Sequence, residues 1–158
     1  MKKKFFALIL STLVASNFIA CGASNDSKLK DGDYTVETAK ADDHGYKAKL
    51  SIKVSDGKIT EAKYNEFNGE TNAMKREDKD YNEKMTGVSG IGPAEYEPQL
   101  EKALIEKQSS DIDVITGATS SSNQFKKLAE KVLKNAEEGK TEATLVDYVK
   151  HIILFLGG

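Results

Sequence analysis

A single cysteine, Cys21, stands among 158 residues, which excludes a disulfide framework and a thiolate cage for zinc. The two histidines, His44 and His151, lie far apart with no cysteine or carboxylate at ligand spacing, so a metal centre is not expected. Asp42-Asp43 and the Asp111/Asp113 pair supply carboxylates, but no EF-hand spacing surrounds them. No Gly-x-Ser-x-Gly elbow or comparable nucleophile motif occurs. Positive charge is not in excess: the formal net charge is −2, which argues against nucleic acid as a partner. No apolar run is long enough to span a bilayer.

What is present begins with Lys2, Lys3 and Lys4, followed by an apolar stretch over residues 5–14 and then Phe18-Ile19-Ala20-Cys21. Positive start, short apolar core and small residue form a secretory signal peptide over residues 1–20. The lone Cys21 after Ala20 resembles a bacterial lipobox, with Phe18 where leucine is more usual. That resemblance implies that Cys21 is lipidated and becomes the new N-terminus, on the extracellular face of the cell membrane. Without it, the chain is an ordinary secreted protein with a free thiol. Cleavage removes three lysines and makes the remainder more acidic, so attachment to anionic lipid would come from the acyl chains and not from charge. Residues 21–30 (CGASNDSKLK) are small, polar and aperiodic, the composition of a flexible tether.

From Asp31 the chain changes character. Tyr34, Val36 and Thr38 suggest a first strand. Tyr46, Ala48, Leu50, Ile52 and Val54 alternate with polar residues, the period of a strand with one buried face. Asp56-Gly57 is a two-residue hairpin signal, and the return strand covers residues 59–67 with Ala62 and Tyr64 inward. The mixed charges of residues 74–80 read as a solvated loop or helix end, and residues 81–85 as a short helix. Gly87, Gly90, Gly92 and Pro93 then form a loop that is a candidate wall for a ligand pocket. Its spacing is not a dinucleotide fingerprint, because no parallel-sheet unit precedes it. A second helix covers residues 95–108, with Pro98 expected in its first turn. Ile112, Val114 and Ile115 suggest a short strand. A third helix runs over residues 122–135, where Phe125, Leu128, Ala129, Val132 and Leu133 fall on one face. This order implies an α+β fold, a small antiparallel sheet packed against a few helices. Its domain covers residues 31–136, and the tail of residues 137–158, with the apolar run 151–156, has no assigned role.

The most informative segment is Asp113-Val114-Ile115-Thr116-Gly117-Ala118-Thr119, followed by Ser120, Ser121 and Ser122. It places a threonine hydroxyl beside a Gly-Ala turn, just ahead of a helix N-terminus. Unpaired N–H groups and the positive end of the helix dipole favour an anion there. The bare residues equally allow a capped turn with no ligand. The segment resembles the Asp-x-x-Ser/Thr-Gly-Ala-Thr signature of FMN-binding domains that carry their flavin covalently. These include flavinylated subunits of the sodium-pumping quinone reductase and the Rnf complex, and surface lipoproteins of Gram-positive extracellular electron transfer. The resemblance spans roughly residues 31–134 and implies FMN linked through its phosphate to Thr119. It implies that Asp113, Thr116, Gly117, Ala118 and Ser120 form the surrounding cofactor-binding pattern. It further implies a magnesium- and FAD-dependent flavin transferase as partner, and a membrane quinol or NADH dehydrogenase relay as electron donor. A non-redox lipoprotein that binds FMN or another anion is the alternative reading. Release of residues 13–20 as a peptide pheromone is a further one, by similarity to some related lipoproteins.

Overall fold

A computed structural model describes residues 28–147. Cys21, the expected signal peptide of residues 1–20 and the apolar run 151–156 therefore lie outside the described residues. The alternating pattern gives three antiparallel strands: β1 (Gly32–Thr38), β2 (Tyr46–Ser55) and β3 (Lys58–Asn68). Asp56 (φ 53°) and Gly57 (φ 74°) both turn left-handed between β2 and β3, the geometry that a two-residue hairpin needs to match strand twist. A short strand in the tail, β4 (Thr144–Val146), pairs parallel to β1, so the sheet is mixed with order β3-β2-β1-β4.

One sheet face is apolar. Tyr34, Val36, Leu50, Ile52, Val54 and Tyr64 are buried on it. The other face is polar, with Thr35 Oγ1 2.9 Å from Ser51 Oγ and Lys47 paired to Glu37. The covering layer comprises α1 (Lys79–Ser89), α2 (Pro93–Lys107) and α3 (Thr119–Glu138). α3 lies across β1 and β2, and α2 along β3. Buried Phe125, Leu128, Ala129 and Val132 form the inner stripe of α3, as the sequence periodicity requires. Phe125 meets the Tyr64 ring edge to face, with centroids 5.0 Å apart.

The boundaries depart from the sequence reading in instructive ways. α1 extends to Ser89 and absorbs Gly87, leaving only residues 90–92 as the glycine loop. α2 begins at Pro93, capped by Gly92, so Pro98 sits in the second turn and not the first. Residues 111–115 form neither strand nor helix. At the other end of the domain, the Lys30 N–H bonds to Ala136 O at 3.0 Å and its ammonium to Glu138 O at 3.0 Å. Leu29 packs on the core. The last residues of the segment read as a tether thus dock on the C-terminus of α3.

Candidate functional site

The Gly-Ala turn is built by its neighbours. Ala118 N–H bonds back to Ile115 O at 3.0 Å, closing a four-residue turn. Gly117 stands at the third position with φ 83°, where the left-handed region suits glycine. A Cβ on Gly117 would lie 2.2 Å from Ser89 O and 3.0 Å from Ile91 Cγ2. The turn therefore presses on the end of α1 and the glycine loop, and only a residue without a side chain fits. Buried Ser122 braces the turn from inside. Its Oγ accepts the Ile115 N–H at 3.1 Å and donates to Ala118 O at 2.8 Å. Asp113 points outward to Lys107 Nζ at 2.8 Å. The hydrogen bond from Lys107 keeps its carboxyl below the usual range.

α3 starts three residues earlier than its apolar periodicity indicates, so Thr119 is its first residue and Ala118 its N-cap. Apolar periodicity marks only where the buried stripe begins, and the hydroxyl run ahead of it is helical as well. Alanine contributes no capping side chain, and the first intrahelical bond runs from Ser122 N–H to Ala118 O at 2.9 Å. The amides of residues 119–121 precede that bond and face outward at the positive end of a 20-residue helix. Thr116, Thr119 and Ser120 are exposed, whereas Ala118 is buried. Val88 and Val114, 80% and 44% exposed, add apolar surface next to Ser89 and on the approach to the turn. An exposed hydroxyl, uncapped amides and an apolar rim suit a phosphate ester carrying a flat aromatic group. The residues therefore fit the anionic half of a flavin nucleotide.

Behind the turn lies a polar cluster that the sequence reading placed in solvent. A 3₁₀ turn (Lys75–Glu77) carries Lys75 and Arg76 inward. Lys75 Nζ lies 2.6 Å from Glu66 Oε2 and 4.1 Å from the centre of the Tyr46 ring. Burial opposes its charge, but Glu66 more than offsets this and raises its pKa. Arg76 pairs with Glu97 and Glu101 and also donates to Tyr64 O. Burial pushes Glu97 up to about 7, against the pull of Arg76. Mixed-sign charge runs usually mark solvated surface. The available signal lay in the partners: Glu66 within an alternating strand, and Glu97 and Glu101 at i, i+4 on α2, invite one buried and one half-buried cation.

The cluster also finishes the outer edge of β3. Glu66 N–H bonds to Glu97 Oε1 at 3.0 Å, and Tyr64 N–H to Glu101 Oε1 at 2.8 Å. Gln108 takes the Ile59 N–H at 2.7 Å and returns a bond to Ile59 O at 2.9 Å. Two clefts of about 650 and 550 Å³ open elsewhere, beside Leu29 and Lys58 and beside Thr35 and Lys63, and the Thr119 turn lines neither. Among the described residues no group of His, Cys, Asp or Glu could hold a metal ion. Asp42 Oδ1 accepts the N–H groups of His44 and Tyr46, and His151 lies outside the described residues. No helix among them is long and apolar enough to cross a membrane.

Comparison with known proteins identifies relatives of the whole domain. The chain is 33% identical over 146 residues to a 15 kDa lipoprotein of Treponema pallidum (strain Nichols), covering 92% of this chain and 98% of that protein. A crystal structure of a Clostridium perfringens protein is 98% identical, with TM-score 0.76, and covers 77% of this chain and 99% of that one. A solution structure from Clostridium thermocellum is 32% identical over 69% of this chain and 93% of its own, with TM-score 0.46. The family model of the FMN-binding domain matches residues 44–134, from the turn before β2 through most of α3 and across the Gly-Ala-Thr turn. The chain belongs to the FMN-binding domain family.

Proposed function

We propose that this chain is an exported, lipid-anchored flavoprotein that carries electrons through FMN linked by its phosphate to Thr119. One observation carries the reading: Thr119 presents an exposed hydroxyl on the first residue of a helix whose amides have no side-chain cap. A modifying enzyme can reach such a hydroxyl, and the ester it forms keeps a negative charge where the helix dipole favours it, by about 0.3–1 kcal/mol at an exposed site. With FAD as donor, the Thr119 oxygen forms a bond to the FMN phosphorus. The pyrophosphate bond breaks, AMP leaves, and the hydroxyl proton departs to solvent. A magnesium-dependent flavin transferase is the expected catalyst.

When bound, FMN supplies the redox chemistry; the chain's residues anchor and orient it. Ser122 and Gly117 hold the turn, the uncapped amides of residues 119–121 would receive the phosphate, and Val88 and Val114 offer apolar surface. Asp113, Thr116 and Ser120 lie exposed around Thr119, where an approaching transferase would meet them. Cys21 provides the lipid anchor, a reading supported by the lipoprotein name of the Treponema pallidum relative. Electrons would come from a membrane quinol or NADH dehydrogenase relay and leave to an extracellular acceptor.

Intact mass after co-expression with a flavin transferase tests the proposal, beside Thr119→Val. An FMN-sized increment is expected on the wild type and not on the variant, whose melting temperature stays unchanged. A wild-type chain that remains bare beside an active transferase would leave a reversible flavin or anion binder. Culture medium free of the residue 13–20 peptide would dispose of the pheromone reading.

A further inference from the structure

Two tyrosines connect the buried Glu66–Lys75 pair to α3. The Tyr96 hydroxyl lies 3.3 Å from Glu66 Oε2 and 3.2 Å from Ser121 Oγ. The Tyr64 hydroxyl lies 3.0 Å from Glu66 Oε1 and 3.2 Å from Gln124 Oε1. Glu66 is 2% exposed and Tyr96 4%, so both hydroxyls work in a low-dielectric interior where hydrogen bonds are strong and costly to lose. Ser121 is two residues beyond Thr119, in the first turn of α3. That turn lacks a capping side chain, and uncapped helix ends fray. Ser122 braces the turn ahead of the helix. Side-chain bonds in this first stretch of α3 join Ser122 to the Ile115 N–H and Ser121 to Tyr96, and the latter reaches across to α2.

We propose that Tyr96 is a positioning residue for the cofactor: through Ser121 it locks the first turn of α3 to the Glu66–Lys75 pair and so fixes the orientation of a flavin on Thr119. This rests on the reading that Thr119 carries FMN. Glu66 in turn is fixed from three sides, by Lys75, Tyr64 and Tyr96. The anchor point is therefore rigid, which a positioning contact requires.

The test uses Tyr96→Phe, Ser121→Ala and the double variant in the full chain. In the unmodified protein, hydrogen exchange at the Ser122 amide, the first bonded amide of α3, should accelerate at least threefold in each single variant. The double variant should go no further, because both changes break one contact. In the flavinylated protein, both singles should lower flavin fluorescence anisotropy and move the reduced-to-oxidised ratio by about tenfold, ~30 mV for a two-electron couple. Unchanged Ser122 exchange would overturn the positioning role, whether or not flavin attaches. Accelerated exchange with an unchanged potential and anisotropy would reduce Tyr96 to a structural contact and also overturn it. Absence of an FMN increment on the wild type, with exchange accelerated as expected, would instead sink the covalent-flavin reading and the cofactor role with it.

Discussion

Gly117 offers the sharpest test of how the site is built, because two separable penalties meet at one residue. Its φ of 83° lies in the left-handed region, where an L side chain costs about 1–2 kcal/mol. Gly90 has nearly the same φ, 81°, but a Cβ there meets nothing within 4 Å. Gly90→Ala should therefore lose only the strain energy. Gly117→Ala would place its Cβ 2.2 Å from Ser89 O, so the turn must separate from the end of α1. Forcing atoms into filled space costs about 1–3 kcal/mol beyond the strain, for a total of roughly 2–5 kcal/mol. Urea titration resolves the two: with a slope of about 1–3 kcal/mol/M, Gly117→Ala should unfold at clearly lower urea than Gly90→Ala. Flavin attachment should also fall in Gly117→Ala, since Thr119 shifts with the turn, and persist in Gly90→Ala. Equal midpoints for the two variants would refute the claim that Ser89 and the turn are in close contact.

Two further outcomes follow from the buried cluster. Burial raises Glu97 from its ordinary 4.5 to about 7, so between those values the folded chain holds a proton that the unfolded chain has released. Stability from this group is present below about 4.5 and is lost as pH rises toward 7. Glu97→Gln removes that titration, and its melting temperature should gain on the wild type across this window; parallel pH profiles would contradict the assignment. Lys75→Met leaves Glu66 buried without its cation and should cost roughly 3–5 kcal/mol in denaturant unfolding. Pairing it with Glu66→Gln should recover part of the loss, and simple addition of the two effects would show that the ion pair is not coupled.

The α+β architecture was legible because β2 alternates cleanly and α3 repeats at i, i+3, i+4. Asp56-Gly57 specified its turn by backbone preference alone. Thr119 stood out as a candidate through the family resemblance, since its neighbouring residue types equally allow a capped turn. The remainder depended on tertiary partners. Lys75 and Arg76 look like surface until Glu66, Glu97 and Glu101 converge on them from β3 and α2. Ser122 read as part of the hydroxyl run, yet it is buried and braces the turn because Ile115 and Ala118 offer it a donor and an acceptor. Residues 111–115 have strand-like composition without strand pairing, since apolar residues suit an extended conformation but only a neighbouring edge makes a ladder. Pro98 lies in the second turn because α2 starts earlier, at Pro93 behind Gly92, and the buried face of Tyr96, Leu100 and Leu104 carries the helix through it.

The three side chains that meet β3 from α2 and its C-cap have a consequence for self-association. An open strand edge presents unpaired amides that recruit strands from other molecules. Here Glu97, Glu101 and Gln108 occupy the amides of Glu66, Tyr64 and Ile59, so a helix supplies in side chains what a fifth strand would supply in backbone. The opposite edge is a strand of only three residues. A protein held at high local density on a surface would meet its own copies constantly, and a sheet closed in this way can crowd without polymerising.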